Sequence, residues 1–92
     1  MRVSFDPAKD SANLAKHGVS LALAEQLEWD TALIWPDARR PYGEPRRCAL
    51  ALLGERLYFT AFVDRAAGRR VISLRKANNR EIIHYAKNID AS

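Results

Sequence analysis

Three apolar runs separated by short turns do most to limit what this chain can become. Residues 47–53, 57–63 and 69–75 each read as a strand. Gly54-Glu55 joins the first two, and Asp64-Arg65-Ala66-Ala67-Gly68 joins the second to the third. Runs connected that tightly favour an antiparallel meander. A further strand is expected at 31–35, Thr-Ala-Leu-Ile-Trp, stopped by Pro36-Asp37. Residues 38–45, with two prolines and a glycine, form the longest irregular stretch.

Helical signals flank this block. After a short strand expected at 2–5, Asp6-Pro7 pairs a favoured N-cap with the residue best shaped for the first helical position. That helix should run to Lys16-His17 and end at Gly18. Ser20 can cap a second helix over 21–28, with Leu23 and Leu27 at i, i+4 spacing. Asn78, with Glu81 three residues on, has the form of a capping box. On the helix that follows, Ile82, Ile83, Ala86 and Ile89 gather on one face, which is expected to pack on the sheet. The resulting order is β-α-α-β-β-β-β-α, an α+β class with an antiparallel sheet and helices packed on it.

At 92 residues the chain has room for one core and one domain. A single cysteine, Cys48, excludes an internal disulfide and a cysteine zinc cluster, and its place in an apolar run suits a buried hydrophobe. No apolar leader opens the sequence, and no stretch is long enough to span a bilayer, so a soluble, cytoplasmic protein is expected. The net charge of +4 is unevenly spread. Residues 38–80 hold ten arginines and one lysine against three acids, a local balance of +8, while residues 1–37 stand at −3. Arginine's planar fork suits phosphate, and a polyanionic partner follows, although single arginines also guard strand edges and turns.

The side chains present narrow the chemistry. Phosphate-cradling glycine loops, a nucleophile elbow and metal-spaced His/Cys/Asp clusters are all missing from the sequence, so no cofactor is expected. Catalysis would run on Arg, Lys, His, Tyr and carboxylates. Lys9, Asn13 and Lys16-His17 line one face of the first helix. His17 also sits where a cation suits the helix C-terminus, so capping and catalysis are both open to it. Arg75 closes an apolar strand and needs an anionic partner. Glu81 and Tyr85 stand at i, i+4 beyond it, where Glu81 can cap or pair with Arg75 and Tyr85 can join the core. Trp29 and Trp35 suit core positions, with an interface role as the other use of such residues.

The motifs Phe5-Asp6-Pro7, Lys9, Asn13 and Lys16-His17-Gly18-Val19-Ser20 resemble the opening signature of the BrnT family of toxins. Gly43-Glu44 with Arg46 is similar to its middle motif, and Arg70-Val71-Ile72-Ser73 with Arg75, Ala77, Glu81 and Tyr85 to its closing one. The resemblance implies a type II toxin of RelE-like fold that cleaves RNA without a metal. It also implies neutralisation by a cognate BrnA-like ribbon-helix-helix antitoxin. Such cleavage uses the substrate's own 2′-hydroxyl, and needs a base, an acid and cations around the phosphate. The expected catalytic set is Lys9 and Arg75 on the phosphate charge, His17 as acid or base, and Glu81 and Tyr85 in orienting roles. Arg46, Arg47, Arg70, Lys76 and Arg80 are expected to hold the RNA backbone. The scheme requires Lys9 and Arg75 to meet around one phosphate. A non-catalytic nucleic-acid-binding module, or a domain docking an acidic protein, would use the same basic surface.

Overall fold

The computed structural model describes residues 2–39 and 41–90. Arg40, one of the arginines in the irregular stretch, lies outside them. Strand β1 (Val3–Ser4) leads into helix α1 (Pro7–His17), two 3-10 helices (Leu21–Gln26 and Trp29–Thr31) and strand β2 (Leu33–Pro36). Strands β3 (Arg47–Leu53), β4 (Arg56–Arg65) and β5 (Gly68–Lys76) follow, and helix α2 (Asn79–Asp90) closes the order.

The sheet runs β1-β5-β4-β3-β2. Strands β3 to β5 form the expected antiparallel meander, and β2 extends it by pairing antiparallel with β3. The fully antiparallel sheet needs correction, because β1 pairs parallel with β5 and makes it mixed. Gly68 permits that pairing. Its φ is +137°, and a Cβ there would lie 2.6 Å from the Arg2 carbonyl oxygen, which accepts from Arg69 N–H at 2.9 Å. The β4–β5 turn is also tighter than the sequence suggested, since Arg65 already pairs with Gly68. Strand β4 is central and buried from Leu57 to Val63. Continuous burial on both faces explains why it reads as an unbroken apolar run.

One irregularity governs which side chains face where. Phe62 pairs with Val71 while its neighbour Ala61 pairs with Ser73, so Ile72 is an extra residue in β5. Before this bulge Arg69 and Val71 face the side covered by α1 and the 3-10 helices. Beyond it Ser73 and Arg75 face the other side. The first layer gathers Leu21, Ala24, Leu27, Ala51, Tyr58, Val71 and Leu74. The second centres on Cys48, Leu50, Leu57, Phe59 and Tyr85.

Helix α1 begins and ends as its sequence dictates. Asp6 accepts from Ala8 N–H at 2.9 Å, and Gly18 takes a left-handed φ of +76°. The α-helix expected over 21–28 is a 3-10 helix instead. Leu21 and Ala24 in it and its C-cap Leu27 are buried, a three-residue repeat that matches 3-10 geometry. Asp10 fixes its start by accepting from Ser20 Oγ at 2.9 Å and Leu21 N–H at 2.7 Å.

Helix α2 has the expected capping box: Glu81 N–H donates to Asn78 Oδ1 at 2.8 Å, and Asn78 N–H to Glu81 Oε1 at 2.9 Å. Its apolar face is not packed as expected, because Ile82, Ile83 and Ile89 are 46%, 55% and 38% exposed. The helix is rolled about a quarter-turn away from that face. Three anchors set the roll: Glu81 on Arg75, Tyr85 Oη donating to the Thr31 carbonyl at 2.9 Å, and His84 edge-on to Trp35.

Candidate functional site

Strand β1 is so short that the second half of β5, paired with β4 on one side, has no strand on its other edge among the described residues. Helix α1 lies along this open edge and is stitched to it by Asn13. The Asn13 side chain accepts from Leu74 N–H at 3.1 Å and donates to Leu74 O at 2.8 Å and Val19 O at 2.9 Å. One amide thus supplies both ladder bonds that a neighbouring strand would have made. The consequence for the site is direct: Lys9, Lys16 and His17 are held beside Ser73, on the same strand face as Arg75.

Three adjoining depressions result. One, about 200 Å³, is lined by Lys9, Asn13, Lys16 and His17 of α1 together with Ile72 and Ser73. A second, about 440 Å³, shares Lys16, Ile72 and Ser73 with the first and adds Arg39, Tyr42 and Arg46. A third, about 200 Å³, shares Arg39 with the second and lies between Trp35, Asp37, Cys48, Phe59, Arg75 and Glu81. Lys9 and Arg75 therefore line different depressions, on one side of the molecule, with Ser73 and Arg39 linking them.

The charged groups fall into two kinds. Arg75 is committed, with Nη1 and Nη2 donating to Glu81 Oε1 and Oε2 at 2.8 and 2.9 Å and its guanidinium 4.3 Å over the Phe59 ring. Burial raises the Glu81 carboxyl, but the bonds from Arg75 and Asn78 and the Arg75 charge outweigh it and hold that carboxyl below its usual range. Arg39 is likewise committed, reaching the buried Asp37 through Nε and Nη2 at 2.7 Å each. Those bonds hold Asp37 far below the usual carboxylate range. Lys9, Lys16 and Arg46 have no carboxylate partner among the described residues. Arg46 stacks 3.9 Å over Tyr42, and its buried Nε has no hydrogen-bond acceptor among the described residues.

His17 is shifted to lower pKa by burial first, then by the charges of Lys16 and Arg75. The imidazole is mostly neutral at pH 7 and able to take a proton. Cys48 behaves as its sequence position suggested: burial, then the nearby Asp37, push its thiol up to about 11, leaving it protonated and inert as a nucleophile. Among the described residues no three His, Cys, Asp or Glu side chains gather in a group able to hold a metal ion. No helix among them is long and apolar enough to cross a membrane.

Of the residues expected to act, Lys9 and His17 share one depression, and Arg75 and Glu81 another. Tyr85 lines none of the three; it is buried, with its hydroxyl on Thr31. Of the expected backbone binders Arg46 alone lines one of these three depressions. Arg47 and Lys76 pair with Phe62 and Tyr58, which places them on the opposite face of the sheet. Arg70 lies near the start of β5 beside Ser4, and Arg80 in the exposed first turn of α2. Sequence reasoning missed Asp37 and Arg39. Their signal was present: an acid just past a strand's end with an arginine two residues on can close a bidentate pair locally.

No curated protein matches the chain. The family model described as ribonuclease toxin, BrnT, of type II toxin–antitoxin systems matches residues 5–81, which takes in all three depressions. The chain belongs to the BrnT family of ribonuclease toxins.

Proposed function

We propose that the protein cleaves RNA without a metal, by attack of the substrate's own 2′-hydroxyl, and that translation stops as a result. The observation that carries this reading is the run of adjoining depressions, where Lys9, Lys16 and Arg46, without a carboxylate partner among the described residues, stand beside His17.

His17 takes the 2′-hydroxyl proton as the oxygen attacks phosphorus. Lys9 meets the growing charge on the phosphate and supplies the proton to the departing 5′-oxygen. The products are a 2′,3′-cyclic phosphate and a 5′-hydroxyl. Arg75, whose charge is felt at His17, reaches toward the same phosphate from across the intervening depression, held in place by Glu81. Tyr85 acts through position alone, by fixing α2 to Thr31 and so fixing Glu81. Lys16, Arg39 and Arg46 hold the adjoining backbone phosphates, giving salt-sensitive affinity. Arg70 and Arg80 touch RNA only beyond this path, and Arg47 and Lys76 lie off it. The family's antitoxin partner is read as a BrnA-like ribbon-helix-helix protein, the fold as RelE-like and the compartment as the cytoplasm.

The test is cleavage of RNA by purified protein in EDTA. Wild type should cut, and Arg75→Ala should lose most of that activity, about a hundredfold for one electrostatic contact in the transition state, with an unchanged circular dichroism spectrum. An Arg75→Ala protein that cuts at the wild-type rate overturns its catalytic role. Binding without turnover makes the protein a nucleic-acid-binding module instead.

A further inference from the structure

We infer that the depression between the Arg39–Asp37 and Arg75–Glu81 pairs is a nucleobase pocket, and that it prefers a base with an exocyclic amino group over uracil. The inference deepens the ribonuclease reading and rests on it.

The pocket differs in kind from its neighbour. Both of its guanidinium charges are matched by carboxylates at 2.7–2.9 Å, and its thiol is protonated, so its formal charge is zero. Within the pocket both cations are already paired, so a phosphate is held better at its rim and next door, where Lys16 and Arg46 have no carboxylate partner among the described residues. The floor is Cys48 and Phe59, 2% and 7% exposed, at the centre of the sheet. The Trp35 indole and the Arg75 guanidinium provide planar groups for stacking. An uncharged flat ring with a polar edge suits such walls, and in RNA that is the base. Because the two depressions share Arg39, one nucleotide can place its base in the first and a flanking phosphate in the second.

The choice among bases follows from the acceptors. Glu81 Oε1 receives Arg75 Nη1 and Asn78 N–H, but Oε2 receives Arg75 Nη2 alone among the described residues. A carboxylate oxygen keeps room for a second donor. Adenine, cytosine and guanine each bring an amino group to it. Uracil brings carbonyl oxygens on either side of a single ring N–H, which repel the carboxylate. One charge-assisted hydrogen bond gained or lost is worth about tenfold in affinity.

The experiment follows the indole N–H resonance of Trp35 in the wild-type protein during titration with AMP, CMP, GMP and UMP, alongside mapping of cleavage sites in an RNA of mixed sequence. Ala38→Phe places a bulky side chain at the pocket's lining from an exposed position and spares the core. The expected result is a Trp35 shift with AMP, CMP and GMP at about tenfold lower concentration than with UMP, lost in Ala38→Phe. Mapped cuts should show an amino-bearing base at one fixed position. Equal response to all four nucleotides, or none at Trp35, overturns the pocket whatever the cleavage assay gives. Selective shifts without RNA cleavage would uphold the pocket and reject the cleavage scheme.

Discussion

Replacing Asn13 with alanine tests how α1 is held to the sheet. The side chain makes three hydrogen bonds of 2.8–3.1 Å, two of them to the backbone of Leu74, which is fully buried. Truncation leaves the Leu74 N–H and C=O unpaired on the strand edge. Each such group costs about 1–3 kcal/mol. The space vacated by the amide admits water, so the lower end applies, and the total with the Val19 bond is about 3 kcal/mol. For a domain this size that is a fall in Tm of about 12–24 °C, from a total stability of about 5–15 kcal/mol. Asn13→Asp should be worse than alanine, because it turns the donor facing two carbonyl oxygens into an anion. Urea unfolding followed by circular dichroism gives the answer, with the m-value expected to stay constant. RNA cleavage measured well below Tm should also fall, since Lys9, Lys16 and His17 reach the site on this helix. A loss under about 1 kcal/mol, or an aspartate variant as stable as the alanine one, would refute the account.

The remaining expectations concern the turn glycine and the titrating groups. Gly68→Ala should detach β1 from β5 and lower stability by about 1–3 kcal/mol through its positive φ alone, with the contact to Arg2 adding to it; the urea midpoint checks this. With His17 as base, log kcat/KM should rise with pH through an apparent pKa below the ordinary histidine value and then level off. His17→Gln should lower the plateau and remove that inflexion. Stability should decline on acidification in two stages. Below about pH 6.5 the unfolded chain takes up a proton that folded His17 resists, and below about pH 4 the same holds for Asp37 and Glu81, whose folded carboxyls titrate lower than unfolded ones. Midpoints measured from pH 7 to pH 3 should fall throughout; a midpoint that rises anywhere in that span would contradict the assigned shifts.

The local rules carried much of the fold. Asp6-Pro7, Gly18 and the Asn78–Glu81 box each end a helix by contacts within a few residues, so sequence alone could locate them. Strands β3 to β5 were legible for the same reason, through their short turns and, in β4, continuous burial. What escaped depends on partners far along the chain. The pairing of β1 with β5 spans more than sixty residues. Asn13 looked like part of a polar row, and its partner Leu74 lies 61 residues away. The isoleucines of α2 suggested a packed face, but an ion pair, a tyrosine hydroxyl and an aromatic edge decided the roll instead. At the site the Arg75–Glu81 partnership was readable from spacing, while the grouping of Arg46 with Lys16 required the tertiary path of residues 38–46.

Arg69 and Arg75 are six positions apart on one strand, and strict alternation would give them a common side. They do opposite jobs: Arg69 is clasped between Trp29, Phe62 and Asp64, and Arg75 stands over Phe59 at the site. The surplus residue at position 72 is what separates them. Losing Ile72 would regularise the ladder and leave each arginine at its post, though it strips a wall from two depressions, whereas losing Leu74 with the bulge kept would transpose Arg75 into the layer beneath α1. The side each arginine serves thus tolerates a change of chain length at one place in this strand and not two residues further on.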